Sequence, residues 1–493
     1  MVHSLIPPMS TRSERSIPAA KKRCRRFRAA VLHLIAAGLA AALVVGCGSE
    51  ESIAALRPSE DRTPVEGEAE LVLRLAHISD AQLVDEESPG RLASFGAIVP
   101  NAWRPYEAAL PHFLDGMIRA VNRFHIAEGA IDALVHTGDA VDNAQQNELQ
   151  WFLDILAGRA VNPTSGFDDR SPEDKPPIML DPHATFQPAG LYTTGVHGDA
   201  DTIPWFGVNG NHDRFAVGVW PVVAAPGDRR VAPLPLRLRL GLFLPRALEP
   251  ASSWSFAPIS PAQPGPPSVY LTARPIPSNE DRRFLTREEF VDAHRRAPGL
   301  PEGHGFLQAP PGTSWYVTEL ATGIRMIGLD TSDPEWLFAR LPYAEGAISG
   351  KQAEFLESAL AQAEADDVWV VVATHHPSDS LDVSYGSAYS PASFRAILRR
   401  HPCVKLHICG HLHRGMAFDR GGYLELVAPG LIDPPFEGQV ITLHRVGDQA
   451  VVRYFRLADT DVPGPPPPGA EDVFDDPFAA LRSQAKQQAF PSP

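Results

Sequence analysis

The 493 residues exceed one average domain, and a hydrophobic content of 44% suffices for a single large α/β domain with insertions. The net charge is −15, and the first 46 residues hold eight of the 44 Lys and Arg against one Glu, so the remainder is more acidic still. So acidic a surface excludes a docked nucleic acid, which needs a basic face, but permits a small phosphorylated ligand held by metals.

Lys21 to Arg28 is a basic stretch, Ala29 to Val45 an apolar one, and Val44-Val45-Gly46-Cys47 closes it with small residues. This is the pattern of an export signal. Its end resembles the lipobox of bacterial lipoproteins, which implies that Cys47 is lipidated, becomes the mature N-terminus and anchors the protein to a membrane of the cell envelope. The alternative is a plain membrane anchor, because 17 apolar residues nearly span a bilayer. Arg25-Arg26 lacks the residues that should follow it in a twin-arginine signal.

Residues 48–70 are polar and read as a flexible tether. The globular domain is expected over 71–457. Apolar runs predict strands at Leu71 to Ile78, Ile131 to His136, Ile203 to Val208, Val368 to Ala373 and Val404 to Cys409. Apolar residues at helical spacing (Leu110, Phe113, Met117, Val121, Phe124) predict a helix within Tyr106 to Ala127. Gln145 to Leu156, Lys351 to Ala363 and Pro391 to Arg400 read the same way. Trp315 to Leu320 and Gly323 to Leu329 form a hairpin around Ala321-Thr322, and Gly422 to Val427, Gln439 to His444 and Val451 to Phe455 are terminal strands. Alternating strands and helices call for a layered α/β domain.

Two long stretches, 158–202 and 214–312, are rich in Pro and poor in pattern, and read as insertions. Leu234 to Leu244 alternates within the second and reads as a half-buried strand rather than a flap. Residues 458–493 are Pro-rich and acidic, which predicts a disordered tail. Four cysteines are too few for a disulfide framework. Cys403 and Cys409 bracket a strand that holds them roughly 20 Å apart at about 3.3 Å per residue, so both read as buried thiols.

Each of the five strands runs into a polar cluster. In order these are Asp80-Ala81-Gln82, Gly138-Asp139-Ala140-Val141-Asp142, Gly210-Asn211-His212-Asp213, His375-His376-Pro377 and Gly410-His411-Leu412-His413. One His-x-His is weak evidence, but five such clusters at five strand ends are a constellation. Carboxylate, imidazole and amide oxygen are the donors that hard divalent cations want, and a pair of cations about 3.5–4 Å apart suits chemistry at phosphorus. A zinc peptidase or amidase is excluded because no HExxH or comparable set is present.

The order D-x-Q, GDxxD, GNHD, HH, GHxH resembles the calcineurin-like metallophosphoesterases over roughly Leu71 to Phe455. The resemblance implies a four-layer αββα sandwich of two mixed β-sheets flanked by helices, with two metal ions at strand ends. It places Asp80, Gln82 and His413 on the first metal, Asp139 across both, and Asn211, His375 and His411 on the second. Either His375 or His376 can be the ligand, and the first is favoured. His212 would sit at the leaving group or phosphate with Asp142 orienting it, and Arg214 and Asn143 are expected phosphate contacts. His77, His125, His136 and His407 read as packed core residues, Asp330 as structural, and His304 as an insertion residue that can enter the site.

The departure is Gln82, where most of the family has His. Some relatives that cleave nucleotide-diphosphate compounds with manganese resemble this chain in carrying Gln. The expected function is therefore dinuclear-metal hydrolysis of phosphoester bonds in a small phosphorylated substrate, with phosphodiesters or nucleotide pyrophosphates the narrower class. Manganese is favoured, with iron, zinc or magnesium as alternatives. The rival is a non-catalytic envelope binding or scaffold protein on the same fold, which should have lost more than one ligand.

Overall fold

The computed structural model describes residues 69–90, 104–166, 180–192, 202–226, 229–234, 247–255, 274–334, 345–460 and 474–489. The leader, Cys47, the tether up to residue 68 and all but the first residue of Leu234 to Leu244 lie outside the described residues. Among the described residues no helix is long and apolar enough to cross a membrane.

Two sheets carry the fold. The first contains β1 Glu70–Ile78, β2 Ala133–His136 and β3 Trp205–Gly207. The second contains β4 Tyr316–Ala321, β5 Ile324–Gly328, β6 Trp369–Ala373, β7 Val404–Cys409, β8 Met416–Asp419 and β9 Leu424–Val427. The chain then returns to the first sheet with β10 Glu437–Val446 and β11 Gln449–Ala458. Strand orders are β11-β10-β1-β2-β3 and β4-β5-β6-β7-β9-β8. The strands β1, β2 and β3 are mutually parallel, as are β5, β6, β7 and β9, while β4, β8, β10 and β11 pair antiparallel.

Side-chain parity decides how the sheets are covered. Along β6, Val371 and Ala373 enter the core shared with the first sheet, whereas Val370 and Val372 face Leu356, Leu360, Phe394 and Leu398. Those four come from α4 Gly350–Ala365 and α5 Pro391–Arg400, which follow α1 Leu110–Ala127, α2 Gln146–Leu156 and α3 Arg287–Arg296 in the chain. On the first sheet's side, α1 and α2 supply Phe113, Met117, Val121, Leu149 and Phe152 to the main core. The layers are therefore helix, sheet, sheet, helix. A strand buried on both faces must be apolar throughout, which is why β6 reads Trp-Val-Val-Val-Ala.

The insertions hold more order than their composition suggests. In the second, Val223–Ala225, Arg229–Pro233 and Ala247–Leu248 form a small sheet over Trp220, Leu234, Leu248 and Phe284. Helix α3 begins with a capping box, in which Thr286 and Glu289 satisfy each other's backbone N–H groups. The Thr286-Arg287-Glu288-Glu289 spacing was the available sequence signal, and few apolar residues followed it.

The tail corrects the expectation of disorder. Helix α6, Ala479–Ala489, lies beside Gly116 of α1, where an added Cβ would meet Arg482 Nε at 2.4 Å. Leu481 and Ala485 are buried, and Arg482 binds Asp459 at 2.8 Å and also pairs with Asp476. An apolar stripe at helical spacing plus two buried ion pairs outweighs the entropy favouring disorder. Residues 461–473, with the proline run, lie outside the described residues. Cys403 and Cys409 are free thiols, as expected, but only Cys409 is fully buried and Cys403 is half-buried.

A buried Arg282 joins both insertions to the loop that follows β1. Its Nε donates to Ser165 Oγ at 2.8 Å, and its Nη2 donates to Ser165 O at 2.9 Å and Pro277 O at 2.8 Å. Asp85 Oδ2 lies 3.7 Å away. Removing one partner of such a buried pair typically costs about 3–5 kcal/mol. Arg282→Ala should therefore lower the urea midpoint by a loss of that order. A midpoint within error of the parent would show that the insertions dock without it.

Candidate metal centre

All five polar clusters leave the carboxyl ends of parallel strands, three from the first sheet and two from the second. Opposed sheets with chain exits on one edge create a crevice there, the usual place for a ligand in an α/β fold. Tight turns then fold the clusters inward. Asp80, Gln82, Asp139, His411 and His413 all adopt left-handed backbone, with φ of 53°, 38°, 56°, 72° and 52°. Each such residue costs on the order of 1–3 kcal/mol, and five of the ten non-glycine residues with positive φ among the described residues lie here. Two glycines permit the approach. A Cβ on Gly210 would meet Asp139 Oδ1 at 2.1 Å, and one on Gly410 would meet Ser79 Oγ at 1.9 Å.

Within the crevice, Asp80, Asp139 and His375 each offer a donor atom, all within 4.8 Å of one another. His375, His376 and His411 form a second such group. His375 Nε2 lies 3.1 Å from Asp139 Oδ2 and 4.0 Å from Asp80 Oδ1. His413 Nε2 lies 3.3 Å from Asp80 Oδ1. Asn211 Nδ2 donates to Gly218 O at 3.0 Å, which leaves Oδ1 buried without a partner. His375 Nε2 likewise has no hydrogen-bond partner, while His375 Nδ1 meets Thr137 O at 2.8 Å.

The electrostatics point the same way. Burial would raise Asp139, but His375 and His212 hold its carboxyl well below the usual range. Burial would lower His413, yet Asp80 and Asp433 raise it to about 9. The carboxylates raise His375 and His212 against burial to about 9 as well. A potential that holds protons on three buried imidazoles is negative enough to hold divalent cations instead. The orphaned donors and this potential fit a metal centre.

The expected residues fall unequally. Asp80, Asp139, Asn211, His375, His411 and His413 converge. Gln82 converges too, but its amide nitrogen donates to Asp139 Oδ2 at 3.0 Å and lies 3.3 Å from His413 Nε2. Turning the amide over would present its oxygen. His212 places Nδ1 2.8 Å from Asp142 O and 3.3 Å from Asp142 Oδ1, as the orienting role of Asp142 requires. Asn143 is fully buried, and its amide nitrogen donates to Glu148 Oε1 at 2.9 Å, while its Oδ1 has no hydrogen-bond partner. Arg214 faces Asp333 at 3.4 Å and Asp330 at 3.5 Å, neighbours that sequence did not reveal. His304 stays out of the crevice and stacks on Trp205 at 3.7 Å. His77, His125, His136 and His407 are buried, as expected.

Two residues were missed. Asp213 accepts the N–H groups of Asp139, Ala140, Val141 and Gly210 at 2.8–3.2 Å and so locks two clusters together. Only its place in Gly210-Asn211-His212-Asp213 hinted at it. Asp433 accepts from His413 Nδ1 at 2.6 Å and from Arg104 Nε at 2.5 Å, and no motif marks it. A carboxylate behind a ligating imidazole fixes its tautomer and raises its basicity. Asp433→Asn should weaken divalent-metal binding at the site that includes His413 by about 10–100-fold in a calorimetric titration. Unchanged binding would show that Asp433 only anchors Arg104.

Residues 73–415 match the family model of the calcineurin-like phosphoesterases. No curated protein sequence matches the chain. Among solved structures, a dimetal phosphatase from Danio rerio is 14% identical with a TM-score of 0.40, over 79% of this chain and 100% of that one. GAP50, the anchor in the inner membrane complex of Plasmodium, is 12% identical with a TM-score of 0.34, over 82% and 94%. A putative 5'-nucleotidase from Staphylococcus aureus is 16% identical with a TM-score of 0.22, over 41% and 44%. The family model spans all five polar clusters at the crevice, and the chain belongs to the calcineurin-like phosphoesterase family.

Proposed function

We propose that this metal-dependent phosphoesterase uses two divalent cations, manganese favoured, to hydrolyse phosphodiester or nucleotide-pyrophosphate bonds while tethered to an envelope membrane through Cys47. The phosphoesterase activity itself comes with the family. The observation that carries the two-cation reading is the set of buried donors facing one crevice, above all the unpartnered Asn211 Oδ1 and His375 Nε2 beside ionised Asp80 and Asp139. Asp80, His413 and Gln82 would hold one cation, Asn211, His375 and His411 the other, and Asp139 both. When bound, such cations would supply positive charge that offsets the negative charge a phosphoryl group accumulates in its transition state.

The chain's own residues then have distinct tasks. Asp142 aims His212 through its carbonyl and carboxylate, and burial is outweighed by Asp139 and Asp142 so that His212 keeps a proton at neutral pH. A protonated imidazole at 20% side-chain exposure can reach the leaving-group oxygen. Arg214, which pairs with Asp333 at 3.4 Å and Asp330 at 3.5 Å, would contact a substrate oxygen. The acidity of the whole chain supports a small substrate over a nucleic acid.

Substitution of His212 tests this reading. His212→Ala should reduce turnover by about 10²–10⁴ while metal content stays constant. The deficit should shrink for diesters and pyrophosphates with strongly acidic leaving groups, which need no proton. An equal deficit across leaving groups would remove the acid role. A folded, manganese-loaded protein inert toward monoesters, diesters and nucleotide diphosphates alike would favour the scaffold reading.

The anchor has its own test. Two or more acyl chains hold a protein at a membrane far more firmly than one. Cys47→Ser should move the globular part from the membrane fraction to the soluble one. Mass spectrometry that finds an intact, unmodified leader on the membrane-extracted parent would contradict lipidation.

A further inference from the structure

The two adjacent histidines after β6 are held in opposite ways. His375 Nδ1 lies 2.8 Å from Thr137 O. A carbonyl oxygen only accepts, so Nδ1 always carries a proton, and Nε2 is the nitrogen that would give up its proton to a metal. His376 Nδ1 instead lies 2.8 Å from Thr331 Oγ1. That hydroxyl already accepts the His376 backbone N–H at 3.0 Å. Thr331 is fully buried, and among the described residues its hydroxyl hydrogen has no acceptor except His376 Nδ1. A proton on Nδ1 would strand that hydrogen, which buried polar groups avoid. The hydroxyl therefore donates to Nδ1, and the His376 proton sits on Nε2.

That N–H is itself poised. His376 is 1% exposed, and Nε2 is buried with no partner. Its ring packs 4.3 Å from that of His411 and 4.9 Å from that of His375. On the other side Gly346 presses so closely that a Cβ there would meet His376 Cγ at 2.8 Å. The ring cannot swing away, and one nitrogen of each of the three histidines lies within 4.8 Å of the others. With Nδ1 engaged by Thr331, Nε2 is the nitrogen that His376 presents.

We infer that His376 is a substrate-binding residue whose Nε2–H donates to an anionic phosphoryl oxygen, with Thr331 fixing its tautomer, and that it is not a further imidazole ligand of the metal. The inference rests on the phosphoesterase reading for the identity of the anion, but the tautomer does not. A fixed, desolvated donor aimed where charge develops is the arrangement that favours an oxyanion over water.

The experiment has three arms. In metal-free protein labelled with 15N-histidine, long-range proton–nitrogen spectra should show His376 protonated at Nε2 and not at Nδ1. In the manganese-loaded full chain, His376→Phe should keep the parent's metal content by elemental analysis. It should also weaken inorganic phosphate, titrated calorimetrically, by roughly 10- to 100-fold, the loss of one hydrogen bond to a charged group. Thr331→Val, a milder change in case His376→Phe fails to fold, should weaken phosphate in the same direction and shift the His376 tautomer population. Loss of a metal ion from His376→Phe, a proton on His376 Nδ1, or unchanged phosphate affinity in both variants would each overturn the inference. Phosphate affinity is read without turnover, so an inert enzyme would count against the phosphoesterase reading and leave this result standing.

Discussion

Asp80 and Asp139 are both fully buried, and each carboxylate opposes the ionisation of its neighbours by repulsion. Two charges of one sign in a low-dielectric interior are tolerable only if the surroundings are built around them. Here they are. The backbone N–H of His411 points at Asp80 from 3.0 Å, and that of His212 points at Asp139 from 2.8 Å. His375 sits between the two carboxylates, and His413 flanks Asp80. The strained left-handed residues belong to the same arrangement, because His411 adopts that conformation at the residue whose amide turns inward. A centre that retains so much uncompensated negative charge is a receptor for cations.

The rest of the fold serves that constraint. Parallel strands from two sheets bring five chain exits to one edge, and Val371 and Ala373 of β6 pack into the core between the sheets. Behind the exits, Thr137 presents a carbonyl to His375, Asp433 a carboxylate to His413, and Asp213 both oxygens to the Asp139 loop. The second insertion reaches the rim through Arg287 at the start of α3. Its Nη1 lies 2.8 Å from Asp333 Oδ1, the same carboxylate that faces Arg214. Two guanidiniums sharing Asp330 and Asp333 tie the insertion to the core where substrate would enter.

Much of this was legible in the chain. Apolar runs ending in Asp, Asn and His marked the strand ends, since a buried parallel strand has no other reason to stop on such residues. The same runs placed the helices, whose apolar spacing is strong in α1. What stayed hidden were partners distant in sequence. Asp433 lies 20 residues beyond His413 and in no motif, and the choice between His375 and His376 depended on which oxygens, of Thr137 and Thr331, the fold brings to them. Composition also misled in the tail, where prolines before α6 concealed the stripe of Leu481 and Ala485. The partner of Asn143 was hidden too: Glu148, in the first turn of α2, accepts from its amide nitrogen.

The central claim is that Asp139 stands between two cations. Crystals of the globular part grown with manganese, with data collected at the manganese absorption edge, test it directly. The account predicts two anomalous peaks in the crevice, one beside Asp80 and His413, the other beside Asn211, His375 and His411, with Asp139 contacting both. A single peak, or a pair that leaves Asp139 without a contact to one of them, would contradict it.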